Sequence, residues 1–335
     1  MLKILVIFTG GTIGSTKQNQ WISTDSQMNH VLIEKYQENA HRSVTFTCQN
    51  PFTLLSEDMT GESLHQLGAF VLENSSREYD GIIITHGSDT IQYSAAMLSY
   101  ALGNIPLPIL LVCSNYVLDD PRANGMANFA AAVDFIASSA GNGVFVPYRN
   151  ADGNIIIHRG TRILPHLPYQ DDLVSILDQY YGRMESNGHF QPNPNVQPGN
   201  GKFCALCLPP QAGSHILRLW PYPGSAYPML TEPYPAAILL DTYHSGTLCS
   251  ATPGMKDFFT QAWKLQIPVF LTGANIEADY DSVKAWNELH IITLPQASPI
   301  AMYMKLWMLL STFPDIDRES LAQHMNTSMQ GDLIS

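Results

Sequence analysis

The chain has 335 residues, 45% of them hydrophobic, and a mean hydropathy near zero, which suits a globular protein large enough to hold two cores. A formal charge of −12 argues against nucleic acid as a partner, because binding the phosphate backbone needs basic surface. The apolar run in residues 1–20 is too short for a membrane span and lacks the basic start and cleavage site of a secretory leader. No membrane partner is expected, and the expected location is cytoplasmic.

The N-terminal half alternates between two kinds of segment. Strand-like KILVIF (3–8) is followed by helical NHVLIEKYQENA (29–40), a strand SVTFTC (43–48) and amphipathic GESLHQLGAFVLENSS (61–76). Then come GIIIT (81–85), helical IQYSAAMLSYAL (91–102), PILLVCS (108–114) and helical ANGMANFAAAVDFIA (123–137). Short continuous apolar runs between helical periods predict βαβ units on a parallel sheet. GVFVPYRNADGNIIIHRG (143–160) reads as a hairpin at the sheet edge, turning at Asn-Ala-Asp-Gly.

Residues 185–202, rich in Pro, Gly and Asn, predict a linker between a domain spanning 1–184 and another spanning 203–335. Beyond it the alternation resumes with HILRLWPYPG (215–224), AAILLDTYHSG (236–246), helical MKDFFTQAWKLQ (255–266) and IPVFLTGA (267–274). The last predicted helix is IAMYMKLWMLLS (300–311). The fold class is therefore α/β: a larger N-terminal domain with a mostly parallel sheet and helices on both faces, plus a smaller C-terminal α/β domain. The five cysteines are odd in number and scattered, which is no disulfide framework. Cys204 and Cys207 have the spacing of half a zinc site, but they lie in a strand-like run that points them to opposite faces, and no second pair completes the set. No metal and no cofactor are expected.

Two strand ends carry the chemistry. The first strand stops at Thr9-Gly10-Gly11-Thr12-Ile13-Gly14, and GIIIT runs into Thr85-His86-Gly87-Ser88-Asp89-Thr90. In open parallel sheets ligands bind at the carboxyl ends of the strands. Glycines there admit positive φ and let backbone approach a ligand. The first turn lacks the spacing of a phosphate loop or a dinucleotide fingerprint. Hydroxyls at strand tips suit nucleophilic acyl transfer; the alternative is that Thr12 and Ser88 cap the helices that follow. His86 is either a general base or a structural donor.

TGGTIG (9–14) together with THGSDT (85–90) resembles the paired signatures of the bacterial-type L-asparaginase/glutaminase family, with LLSEDMT (54–60) between them where that family holds its substrate. The resemblance implies hydrolysis of the side-chain amide of asparagine or glutamine. Thr12 would be the nucleophile, Ser88 would polarise the amide, and Asp89 would pair with the substrate's ammonium. Ser56 would hold its carboxylate, with Glu57, Gly11 and Gly87 lining the site. The small amide would be the partner, in a homodimer or homotetramer to which Glu277 or Tyr280 contributes across the assembly. Position 88 is Ser where the family usually has Thr, and Glu57 stands where it has Gln. Pro165 falls at the family's lysine and Trp21 at its mobile-loop tyrosine. Arg159 and Arg162 are the cations near the first of these gaps, though a guanidinium cannot act as a base. A related amide or ester substrate, or a binding protein without turnover, are the alternatives.

Overall fold

The computed structural model describes residues 1–334 apart from 19–20, 25–27, 41, 76–77, 104, 198–205, 207–214, 250–251, 253 and 275–279. Cys204, Cys207 and Glu277 fall outside the described residues. Along the N-terminal part the elements are β1 (Leu2–Phe8), β2 (Ser15–Gln18), β3 (Trp21–Thr24), α1 (Met28–Glu38), β4 (Val44–Gln49), α2 (Gly61–Asn74), β5 (Gly81–Thr85) and α3 (Ile91–Leu102). They continue with β6 (Pro108–Val112), α4 (Gly125–Ser138), β7 (Gly143–Arg149), β8 (Ile155–Arg159), β9 (Gly182–Met184) and β10 (Phe190–Pro192).

These strands form one sheet in the order β10-β9-β8-β7-β6-β5-β1-β4, with β2 and β3 making a separate hairpin. The pairings from β4 through β7 are parallel, and β8 to β10 add antiparallel strands. The apolar runs are continuous because both faces are covered. Leu5, Ile7, Ile82 and Ile84 pack toward α2 and α3, whereas Ile4, Val6 and Ile83 join the α1 and α4 side. β7 and β8 are a hairpin, as the Asn-Ala-Asp-Gly turn predicts, but not at the edge. Phe190 in β10 reaches back onto Phe135 and Tyr181, so part of the stretch read as linker is a strand held by aromatic burial.

The second sheet is β11 (Ile216–Leu219), β12 (Ala237–Leu240), β13 (Val269–Leu271) and β14 (Ile292–Thr293), all parallel and in sequence order. Helices α5 (Met255–Lys264) and α6 (Asp281–Glu288) accompany it. After the short pair β15 (Gln296–Ala297) and β16 (Leu333–Ile334) is counted, α7 (Pro299–Thr312) and α8 (Arg318–Met325) complete the chain. α8 corrects the expectation that α7 would be the last helix: its apolar stripe is only a few residues wide, and Asp317 caps it by accepting from Ser320 N–H.

α7 packs on α3, and one buried polar cluster ties it there. Lys305 Nζ pairs with Asp332 Oδ2 at 2.8 Å with both side chains fully buried, and Tyr100 of α3 donates to the same carboxylate at 3.1 Å. Burial pushes the Lys305 ammonium down, and Asp332 opposes that shift. Lys305 also donates to the carbonyls of Met325 and Thr327.

Breaking a buried pair from one side leaves an uncompensated charge. Lys305→Met should cost about 3–5 kcal/mol, read by urea unfolding, and the double variant Lys305→Met/Asp332→Leu should recover part of that loss. A second expectation comes from two buried histidines. Burial lowers His86 and takes His158 down to about 3, while an unfolded histidine titrates near ~6.5. Below that pH the unfolded chain binds protons that the fold refuses, so stability should fall as pH drops from about 6.5 toward 3. The slope should be up to about 1.4 kcal/mol per pH unit for each histidine. Unfolding between pH 4.5 and 7.5 measures it, and His158→Gln should flatten it.

Candidate active site

The first turn is built by two glycines that no other residue could replace in place. Gly10 and Gly11 adopt φ of 105° and 77°, which L side chains avoid. A Cβ on Gly10 would lie 2.3 Å from the Leu54 carbonyl oxygen, and one on Gly11 would lie 2.5 Å from the Gly87 nitrogen. Leu54 is drawn in by its N–H donating to Thr9 O at 3.1 Å. Thr9 Oγ1 in turn donates to Thr85 O at 2.6 Å, locking the ends of β1 and β5 together. The backbone of one turn therefore rests directly on the backbone of the other.

On this floor Thr12 opens a single 3-10 turn, Thr12–Gly14, and is half-buried. Its hydroxyl has no hydrogen-bond partner among the described residues, and neither has that of half-buried Ser88. The helix-capping reading fails for both: the turn at Thr12 has Gly11 before it, and α3 has Thr90 at its N-cap, with no side-chain cap bond in either case.

Ser56 sits at the start of another 3-10 turn, is buried, and donates through Oγ to Asp89 Oδ2 at 2.9 Å. Thr90 Oγ1 donates to Ser56 O at 2.9 Å, fastening that turn to the second strand end. Gly87 is needed here as well, since a Cβ would meet Ser56 Oγ at 2.3 Å. Gly11, Gly87, Ser56 and Asp89 thus meet, with Thr12 and Ser88 flanking them in sequence. Glu57 is exposed, and Asp89 presents its carboxylate to solvent. Trp21 pairs through its backbone with Gln18 at the first rung of the β2–β3 hairpin, directly after the Thr12 turn.

His86 is a structural donor. Its Nδ1 donates to Gly87 O and its Nε2 accepts from Ser94 Oγ, both at 2.8 Å, so no lone pair faces substrate and burial holds the ring neutral. The expectation that Arg159 or Arg162 supplies charge at the lysine gap is corrected. Arg159 pairs in register with Phe145 near the start of β7, at the sheet end opposite the turns, with its guanidinium over Tyr181. Arg162 is spent on Gly331 O at 2.7 Å and Gln197 O at 3.1 Å. Tyr280 precedes α6 and is exposed.

One residue beyond Pro165 stands His166, which was not among the residues expected at the site. Its ring packs edge-on to Tyr148 with centroids 5.8 Å apart, and its buried Nε2 has no partner among the described residues. Tyr148 couples electrostatically to Cys113. The Cys113 thiol is pushed up to about 12 by burial, with Asp89's charge adding to it. A titratable imidazole so close to the lysine's position was the signal available in the sequence.

Residues 3–165 match the family model described as "Asparaginase, N-terminal". Among curated proteins, a subunit of the glutamyl-tRNA(Gln) amidotransferase of Methanosarcina barkeri is 31% identical over 187 residues, covering 55% of this chain and 44% of that protein. The corresponding protein of Haloquadratum walsbyi is 32% identical over 162 residues, covering 48% and 36%. The chain thus spans about half or less of the length of these relatives. Among solved structures, the thermostable L-asparaginase of Thermococcus kodakarensis superposes with a TM-score of 0.81 at 21% identity, covering both chains fully. L-asparaginase I of Vibrio cholerae gives 0.78 at 22%, covering 100% of this chain and 99% of that one. The fold is that of the asparaginases. The paired glycine turns at the carboxyl ends of β1 and β5 both lie within residues 3–165, the part of the chain that matches the asparaginase N-terminal domain.

Proposed function

We propose that the chain is an amidohydrolase that cleaves a small side-chain carboxamide, asparagine or glutamine being the parent substrates, through an acyl-enzyme on Thr12. The observation that supports this reading is the contact of the two glycine turns, which joins the segment carrying Thr12, whose hydroxyl has no partner among the described residues, to the segment carrying the Ser56–Asp89 pair. Thr12 Oγ attacks the carboxamide carbon and the C–N bond breaks. The threonine proton passes to the leaving nitrogen, and ammonia departs. Water then attacks the ester and restores the hydroxyl. Ser88 and backbone N–H groups of the turns polarise the carbonyl oxygen. Asp89 accepts from the substrate's α-ammonium while Ser56 bridges it to the α-carboxylate. Gly11, Glu57 and Gly87 form the walls, with the Trp21 segment at the entrance.

The proton relay is rearranged, since Pro165 and Trp21 cannot titrate. His166 is the nearest titratable side chain in sequence to the lysine's place. Its unpaired Nε2 supports a water-mediated role as proton acceptor. The reading extends to a homodimer or homotetramer in the cytoplasm, with the division into 1–184, 185–202 and 203–335 amended so that β10 stays with the first domain. A second reading has one specific support, the identity to proteins named as amidotransferase subunits: ammonia released here would pass to a partner protein.

Thr12→Ala should lower ammonia release by more than about 10³-fold while leaving the circular dichroism spectrum and melting unchanged, because the hydroxyl has no internal partner to lose. Asp89→Ala should damage turnover of free asparagine by about tenfold or more and that of N-acetyl-asparagine far less. Equal losses on the two substrates would remove the ammonium role from Asp89.

A further inference from the structure

Next to the proposed active site, along the same carboxyl edge of the sheet, a cavity of about 410 Å³ opens between the ends of β6 and β7. Nothing in the amide chemistry described above uses it. Its frame is Asn124, 1% exposed, whose Oδ1 accepts from Asn115 N–H at 3.0 Å and whose Nδ2 donates to Arg149 O at 3.1 Å. Asn115 Oδ1 returns the first bond by accepting from Asn124 N–H at 3.1 Å. That fixes the Asn115 amide, so its NH₂ group points the other way and has no partner among the described residues.

The cavity's charge is also lopsided in how it is used. Arg122 is clamped by Asp120 at 2.7 and 2.9 Å. Arg149 donates one bond, Nη2 to Ala123 O at 3.0 Å, and has no carboxylate partner among the described residues. Its remaining N–H groups and the Asn115 amide form a donor set with no acceptor. Asp171, also on the lining, disfavours a doubly charged group, so the fit is to a single carboxylate, which a guanidinium takes by two parallel bonds.

We infer that this cavity is a subsite for a carboxylate carried on the α-nitrogen side of the substrate, so that the preferred amide is an acidic N-acyl derivative. The inference rests on the amidohydrolase reading above. Its geometry follows from strand order. Ser56 lies toward β1 and β4, Asp89 follows β5, Asn115 follows β6, and Arg149 ends β7. An α-nitrogen facing Asp89 therefore points along the edge toward the cavity. β5 and β7 are two strand spacings apart, about 10 Å. Measured from the nitrogen facing Asp89, a four-carbon diacid arm puts its carboxylate four bonds away, roughly 5 Å when extended, and the Arg149 side chain has to reach across the remainder. With the nitrogen acylated, its remaining N–H still donates to Asp89.

The test compares ammonia release from N-succinyl-asparagine and N-acetyl-asparagine, which share the acyl linkage and differ in the carboxylate. The wild-type protein should favour the succinyl compound by about ten- to a hundredfold in kcat/KM, the range of a charge-assisted bond, and the preference should shrink with added salt. Arg149→Gln should bring the ratio near one. Asn115→Asp keeps the acceptor for Asn124 N–H but replaces the free donor with a negative charge, so it should invert the preference even if Arg149→Gln fails to fold. A wild-type ratio near one, or a ratio that both variants leave intact, overturns the subsite while the amidohydrolase reading stands. If no substrate yields ammonia, the amidohydrolase reading fails by itself. Calorimetric binding of N-succinyl-asparagine that Asn115→Asp abolishes would then uphold the cavity as a carboxylate site, and absence of binding would overturn it.

Discussion

The approach of Gly11 to Gly87, close enough that a single methyl group would sit 2.5 Å from a backbone nitrogen, is the constraint from which the site follows. Two parallel strands normally end some distance apart, with whatever side chains follow them filling the gap. Here the gap is closed by backbone on backbone, with Leu54 hydrogen-bonded to the first turn and Ser56 packed against the second. Three segments far apart in sequence are thereby held at one point by main-chain geometry. Thr9 and Thr90 add side-chain bonds to this frame, while the Thr12 and Ser88 hydroxyls are not used in holding it.

The same arrangement explains why polar residues are tolerated at the carboxyl edge of an otherwise apolar sheet. Thr9, Thr85 and His86 are buried but satisfied by one another and by neighbouring carbonyls, which removes most of the desolvation cost. Asp89 is different. It gains one bond from Ser56 and otherwise faces water, so its remaining oxygen lone pairs are open to a ligand. The contrast separates the structural polar groups from those that can meet a ligand.

Much of this was legible in the residues. The runs around Ile4, Ile83 and Leu110 could only be strands covered on both faces, and the two glycine-hydroxyl turns announced their position at the strand ends. Their mutual contact was not legible, because it depends on β1 lying beside β5, a matter of strand order that no local pattern encodes. β10 was hidden for a related reason: Pro-, Gly- and Asn-rich sequence signals turns, while Phe190 finds its partners in Phe135 and Tyr181 only after folding. α8 and α6 were missed because eight residues are two turns, too few for a periodicity to emerge. Arg159 and Arg162 looked like cations for the site, but β8, running antiparallel, carries Arg159 to the other end of the sheet, and Arg162 is engaged by the carbonyls of Gly331 and Gln197. His166 stood in plain view one residue past Pro165, but its unpaired nitrogen was not legible, because it is a product of packing against Tyr148 across 18 residues.

The clasp between α3 and α7 bears on the order in which the protein can assemble. α3 begins at the second glycine turn, and its Tyr100 is held by Ala301 and Asp332, contacts separated by 201 and 232 residues. Contacts of such span are formed late, because the loop they close must be ordered first. A chain emerging from the ribosome completes β1 to β7 while Met97 and Tyr100 still lack the helix that covers them. The nascent N-terminal half therefore exposes an apolar face for as long as α7 takes to arrive. Maturation of the candidate site is in this sense a late event: the strand tips are in place early, but the helix that carries the second turn is seated by contacts 201 and 232 residues further along the chain.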